Sequence, residues 1–393
     1  MNRLLSLVLA AFFLFGLAAV SAESDEKDLT VMVYMAGGAL EDDYGIGSSE
    51  IMEMIDSGFD SEQTNLLIPA GGARSWHDGF GGEGEASLLQ TARGRKRILE
   101  RYPELNMGDS ESLALLLDFA QTKFPAKRYA LILWGQGGGP TEGICFDGIR
   151  KDFLTLDELA AALEKTGFRK QKLSWIGFDT TDAGTVEMMS KTAPYAEYVI
   201  APPFNEPASG WDYSFLKGTE QDRSGAETGK RIIDAYREAY EDYGEVQEYP
   251  LICLDLSEAA AVEAAMNDFF GQVAGKMDES LFGQLSGLAG FAHGTDPGLL
   301  DLVSLCECYE QVDPGAAAKV KDAVEKAIVC SSPNRGEGLG PAVGHPLGQQ
   351  QENYGQWLEQ YHQLGFCPGY TAYLDALAPF LAVQKERDGC GKK

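Results

Sequence analysis

Apolar residues fall into short continuous runs separated by stretches of helical periodicity. Residues 29–36 (LTVMVYMA), 64–70 (TNLLIPA), 129–134 (YALILW), 173–178 (LSWIGF), 198–201 (YVIA) and 250–255 (PLICLD) are short and rich in β-forming side chains, so they read as buried strands. Between them, Asp109 or Ser110 caps a helix to about Thr122 that carries Leu113, Leu116, Leu117 and Ala120 on one face, and Pro125 stops it. Thr155 and Glu158 form a capping box that opens a helix to Lys165. Further helical patterns cover 48–55, 187–192, 222–243, 257–276, 314–328 and 354–380. Strands apolar on both faces, alternating with helices, predict an α/β protein with a mostly parallel sheet flanked by helices. The Gly-rich stretches Trp76–Gly84 and Cys330–Gln351 are expected to be irregular, the first of them exposed.

Two strand exits stand out. The run at 129–134 breaks into the glycine-rich loop Gly135-Gln136-Gly137-Gly138-Gly139, and the run at 173–178 ends at Asp179-Thr180-Thr181-Asp182. Ligands of open parallel sheets sit beyond the carboxyl ends of the strands. Gln136 and Asp179 to Thr181 are therefore expected to face a common crevice.

Composition narrows the setting. Arg3, an apolar stretch from Leu4 to Val20 and the Val20-Ser21-Ala22 segment, with small residues at −3 and −1, have the form of an export signal over 1–22. Its apolar run is short for a membrane span, which needs about 20 residues. The mature chain is expected to be secreted, with no further membrane attachment. It divides into a sheet domain over 28–243 and a C-terminal α/β subdomain over 244–393 that ends in a polar tail, with Glu245–Tyr249 as the boundary. The formal charge of −28 repels nucleic acid and anionic membranes and favours basic peptides or cations. Seven cysteines are too few and too irregularly spaced for a disulfide framework, and Cys306 and Cys308 read as packing residues. The four histidines, at 77, 293, 345 and 362, show no metal-ligand spacing.

The order of several segments resembles the clostripain family of secreted cysteine peptidases, relatives of the caspases. They are VMVYMAGGALEDDYG from Val31, GGARSW from Gly71, LNMGDSESL from Leu105, FPAKRYALILW from Phe124, IGFDTTDAGTVE from Ile176, PYAEYVIA from Pro194, GWDYSFL from Gly210 and GYTAYLDALAPF from Gly369. The resemblance covers most of the mature chain and implies a caspase-like α/β fold. It places the family's catalytic His in a W-x-H-G-G-G loop and the nucleophile in F-D-A-C-L-M. Here the His position holds Gln136 and the Cys position holds Thr181. Asp179 matches the family aspartate thought to receive a substrate Arg or Lys. Pro202-Pro203 stands where the family often has Ser-Glu. Some members depend on calcium, for which Glu41, Asp42 and Asp43 are the candidate cluster, but EF-hand spacing is missing and a solvated acidic loop is expected. No cofactor is expected.

The chemistry agrees with the substitutions. A cysteine peptidase needs a thiolate, or a thiol within reach of a base. Gln136 does not titrate near neutrality, and internal Thr181 has no base of its own. The expectation is a catalytically inactive pseudopeptidase that binds Arg- or Lys-containing peptides through Asp179, a carboxylate suited to bidentate pairing with guanidinium. Alternatively Asp179 only caps the following turn. Two other readings remain: a divergent peptidase using Cys145 or Thr181 with an unidentified base, for which His77, His293, His345 or His362 would have to come from elsewhere in the fold, and a non-catalytic structural or interaction module.

Overall fold

The computed structural model of the protein describes residues 26–81, 83–92, 94–241, 250–285, 288, 298–332, 340–346 and 354–390. The leader at 1–22, the boundary at 245–249, His293 and the last residues of the tail lie outside the described residues.

The strands are β1 (Lys27–Ala36), β2 (Thr64–Gly71), β3 (Ala86–Ala92), β4 (Arg95–Tyr102), β5 (Ala126–Gly135), β6 (Ile144–Asp147), β7 (Asp152–Leu154), β8 (Trp175–Asp179) and β9 (Tyr198–Ala201). Beyond the midpoint follow β10 (Leu251–Asp255), β11 (Leu299–Asp301), β12 (Ile328–Ser332) and β13 (Ala342–Gly344). Nine of these form one sheet in the order β12-β10-β9-β8-β5-β1-β2-β3-β4. Its centre, from β9 to β2, is parallel, and both flanks are antiparallel. Helices flank it, as the alternation of apolar runs and helical patterns requires.

The central strands are buried on both faces because alternate residues enter two separate cores. Met32 and Tyr34 of β1 join Leu131, Leu133, Ile176 and Phe178 on one side. Val31, Val33 and Met35 join Ile132, Trp134 and Trp175 on the other, beneath the helices Ile46–Asp56 and Gly225–Glu241. This period-two division is why the strands read as continuous apolar runs. The capping box at Thr155 forms as expected, with Thr155 Oγ1 accepting from Glu158 N and Glu158 accepting from Thr155 N.

The short strands β6, β7 and β11 are not among the strands the sequence predicts, and three further segments differ from the expectation. The hairpin β3–β4 occupies 86–102, where β4 is mostly exposed and its ARGRKRILERY sequence reads as polar. Trp76 and Phe80 are buried and pin the Trp76–Gly84 stretch onto the second core. Within Cys330–Gln351, β12 and β13 are regular. Strand pairing also crosses residue 243, since β10 hydrogen-bonds to β9 and β12 to β10. Among the described residues, no helix is long and apolar enough to cross a membrane.

Candidate functional site

The carboxyl ends of β1, β5 and β8 lie level. Ala36 pairs with Gly135, and Trp134 with Asp179, so the loops leaving β5 and β8 emerge side by side. They touch. A Cβ at Gly137 would lie 2.2 Å from Thr181 O and 2.7 Å from Thr180 Oγ1. Only glycine permits that approach. Gln136 is exposed and Thr181 half-buried, and Gln136 O accepts from Phe146 N at 3.3 Å. The structure thus brings together the two positions that the sequence set side by side.

The loop after β8 is held from the far side. Asp182 N donates to Phe204 O at 3.0 Å, while Ala183 N and Gly184 N donate to Pro202 O at 3.1 and 2.7 Å. Gly184 O accepts from Ala342 N at 2.9 Å, which carries the C-terminal segment into the site. A shallow recess follows both loops, lined by Gly138, Gly139, Pro140, Asp182, Leu299 and Trp357.

Asp179 is placed differently. Its side chain is buried beneath helix Ile46–Asp56 and the residue is 2% exposed. Oδ1 accepts from Trp211 N at 3.2 Å and Oδ2 from Tyr213 Oη at 2.7 Å. Burial pushes its carboxyl up to about 7.

Two further acids close around it. Glu50, from helix Ile46–Asp56, and Asp179 both approach Gly210: a Cβ there would lie 2.5 Å from Asp179 Oδ1 and 3.0 Å from Glu50 Oε1. Glu206 lies within hydrogen-bonding reach of Asp179. The Trp134 indole N–H is directed at Glu50 and that of Trp211 at Glu206, yet both Glu50 carboxyl oxygens and Glu206 Oε1 are buried without a well-formed hydrogen bond. Burial raises both carboxyls well above the usual range, and the neighbouring Asp179 raises them further. Half-buried Glu53 accepts from Tyr213 N at 2.7 Å, and burial pushes it up to about 7. Such a group of enclosed carboxyls either holds protons or awaits a cation.

Sequence reasoning found Asp179 but missed Glu50, Glu53 and Glu206. Glu50 directly precedes Ile51 on a short amphipathic helix and reads as part of its solvent face. Glu206 lies in an irregular loop between prolines. The only signal was an acid next to an apolar helical position.

Cys145 lies on β6 of the β6–β7 hairpin, in the core on the opposite side of the sheet from Asp179. It is fully buried, burial pushes its thiol far up, and Sγ donates to Trp134 O at 3.7 Å. The described histidines are engaged elsewhere. His77 Nδ1 is 2.7 Å from Glu41, His345 Nε2 is 2.9 Å from Tyr373 Oη, and His362 Nε2 is 2.9 Å from Asp375. The acidic cluster at 41–43 turns inward or pairs. Glu41 is buried and accepts from Ser48 N, Ser48 Oγ and His77 N, while Asp42 accepts from Arg74.

A mixed sheet with a parallel centre, whose paired strand exits carry two touching loops, defines a caspase-like α/β protein. The clostripain family profile matches residues 33–372, and the chain belongs to that family. Solved structures agree on the fold. A secreted C11 cysteine protease from Bacteroides thetaiotaomicron bound to an irreversible peptide inhibitor superposes with a TM-score of 0.62 at 17% identity, covering 86% of this chain and 99% of that one. An inactive zymogen C11 protease from Parabacteroides distasonis gives 0.63 at 19% identity, covering 85% and 98%. The Bacteroides thetaiotaomicron protease iotapain gives 0.63 at 13% identity, covering 88% and 99%. No curated protein matches the chain by sequence.

Proposed function

We propose that this clostripain-family chain is an exported pseudopeptidase that binds Arg or Lys side chains of peptides without cutting them. The observation that carries the reading is the enclosed acid group of Glu50, Asp179 and Glu206, in which both Glu50 oxygens and Glu206 Oε1 are buried and make no well-formed hydrogen bond among the described residues. A guanidinium brings five donors in a fixed fork and a charge that ionises the carboxyls around it. The turn from Pro207 to Gly210, outwardly exposed at Ala208 and Ser209, forms the cover that must open to admit a side chain. Gln136 and Thr181 supply no base and no activated nucleophile. The leader over 1–22 supports export.

The test uses the purified mature chain with fluorogenic peptides carrying Arg, Lys or norleucine, read for both hydrolysis and binding. Wild type should bind the Arg and Lys peptides, ignore norleucine and cleave none. Asp179→Asn and Glu50→Gln should each weaken binding at least tenfold. Turnover that survives removal of trace proteases, or equal binding of norleucine, would sink the proposal. A Gln136→His/Thr181→Cys variant run in parallel reports whether the loops alone can cut once the dyad is restored.

A further inference from the structure

β10 and β12 run antiparallel at one edge of the sheet, and their register places Cys253 directly opposite Cys330. Opposed residues of an antiparallel ladder have Cα atoms about 4.5–5.5 Å apart. A disulfide spans about 4.4–6.8 Å between Cα atoms. Both side chains face the same layer. Cys253 packs among Ile232, Ile233 and Tyr236 of helix Gly225–Glu241, and Cys330 packs against the same cluster. The two thiols are hydrogen-bonded to one another. Above Cys253 sits Gly229, whose Cβ would lie 2.5 Å from Sγ, so the helix leaves room there for sulfur and little else. Among the described cysteines this is the one pair that shares a rung of a ladder.

We propose that Cys253 and Cys330 are a redox-active pair that a low-molecular-weight disulfide, such as oxidised glutathione, converts into a cross-strand disulfide. The two sulfurs have different tasks. Cys330 is partly exposed and Cys253 is buried, so the reagent reaches Cys330 first. The hydrogen bond from Cys253 holds the Cys330 thiol below its usual range, and Lys230 on the covering helix adds to that. The Cys330 thiolate attacks one sulfur of the reagent and forms a mixed disulfide, releasing one thiolate. Cys253 then gives up its proton and attacks Cys330 Sγ, expelling the second thiolate. One disulfide is consumed and one is formed, and the two protein protons end on the two released thiols. The bond would tie the edge strand β12 to the sheet. After β12 the chain leads to Ala342, which hydrogen-bonds to Gly184 in the loop after β8. The cross-link thus anchors the segment that supports the crevice.

The experiment treats the full mature chain with oxidised glutathione or with dithiothreitol, alkylates under native and denaturing conditions, and maps the peptides by mass. The expected result is a peptide pair joined at Cys253 and Cys330, two fewer alkylated cysteines than in the reduced chain, and a higher unfolding temperature. Cys253→Ser should stop at a glutathione adduct on Cys330, and Cys330→Ser should leave Cys253 unmodified. Free Cys253 and Cys330 in oxidised wild type with an unchanged circular-dichroism spectrum would overturn the proposal. So would a disulfide from either residue to another cysteine.

Discussion

The carboxyl of Asp179 and the imidazole of His345 are buried groups whose preferred protonation state is neutral, and their contributions to stability change with pH in opposite directions. Burial pushes Asp179 up to about 7, and Glu50 and Glu206 rise with it. A carboxyl in the unfolded chain titrates near about 4. Between those values the folded chain holds protons that the unfolded chain has released. This contribution to stability is complete below about pH 4 and is lost as pH rises through about 7. His345 runs the other way. Burial holds it down to about 3, with Nδ1 left unpartnered. Its contribution is complete above the ordinary imidazole value of about 6.5 and is lost as pH falls towards 3. Thermal unfolding should therefore peak at mildly acidic pH. Glu50→Gln keeps the shape but cannot ionise, so it should raise the unfolding temperature at pH 8 and leave it near wild type at pH 5. A gain of equal size at both values would show that the carboxyl is not the titrating group. His345→Gln should flatten the acid limb alone, a change visible in the same pH series.

At the scale of single elements, local chemistry is sufficient where burial is two-sided and insufficient at the edges. The capping box that opens helix Leu156–Glu164 is an example of the first kind, with Thr155 Oγ1 on Glu158 N. Thr155→Ala removes that acceptor and should lower stability by about 1 kcal/mol, read from the midpoint of urea unfolding. No change in midpoint would mean that the Glu158 half of the box suffices. The same logic explains what the sequence revealed. β1, β2, β5, β8 and β9 were legible because their middle positions are buried on both faces and run almost continuously apolar. The β3–β4 hairpin was not, because β4 turns its Arg and Lys side chains to solvent and its alternation is blurred by a bulge at Leu88/Leu89. β12 follows directly on helix Pro314–Ala327, so its short IVCSS run reads as the end of that helix. At the site, Gln136 and Thr181 could be placed because strand ends fix them locally. The inward turn of Asp179 follows from the alternation that sends Phe178 to the other core. The approach of Glu50 and Glu206 is set by tertiary packing between segments far apart in sequence, and no local pattern encodes it.

On the scale of the whole molecule, the question is whether residues before 243 make a folding unit of their own. The packing argues that they do not. Ile176, Phe178, Val199 and Ala201 share one core with Ile252, Leu254, Val262, Phe269 and Phe270. Cutting the chain after 243 would expose that face and leave β9 as an open edge where β10 now pairs. A polar tie crosses the same divide. Buried Glu187, on the helix that follows the Thr181 loop, accepts from Gly344 N at 2.9 Å and from Tyr361 Oη at 2.5 Å. Without the C-terminal segment this carboxyl would lose both partners, a change that costs more than the hydrogen bonds themselves. A fragment of residues 26–243 is therefore expected to keep helical content but lose a cooperative thermal transition and to bind hydrophobic dyes. The excess of acidic side chains should hold it in solution, so aggregation need not mask the result. Adding residues 250–393 as a separate chain should restore the transition, because β10, β12 and Glu187's partners return together. A sharp, dye-free unfolding transition from the shorter fragment alone would instead make 243 a true domain boundary and the C-terminal strands an accessory layer.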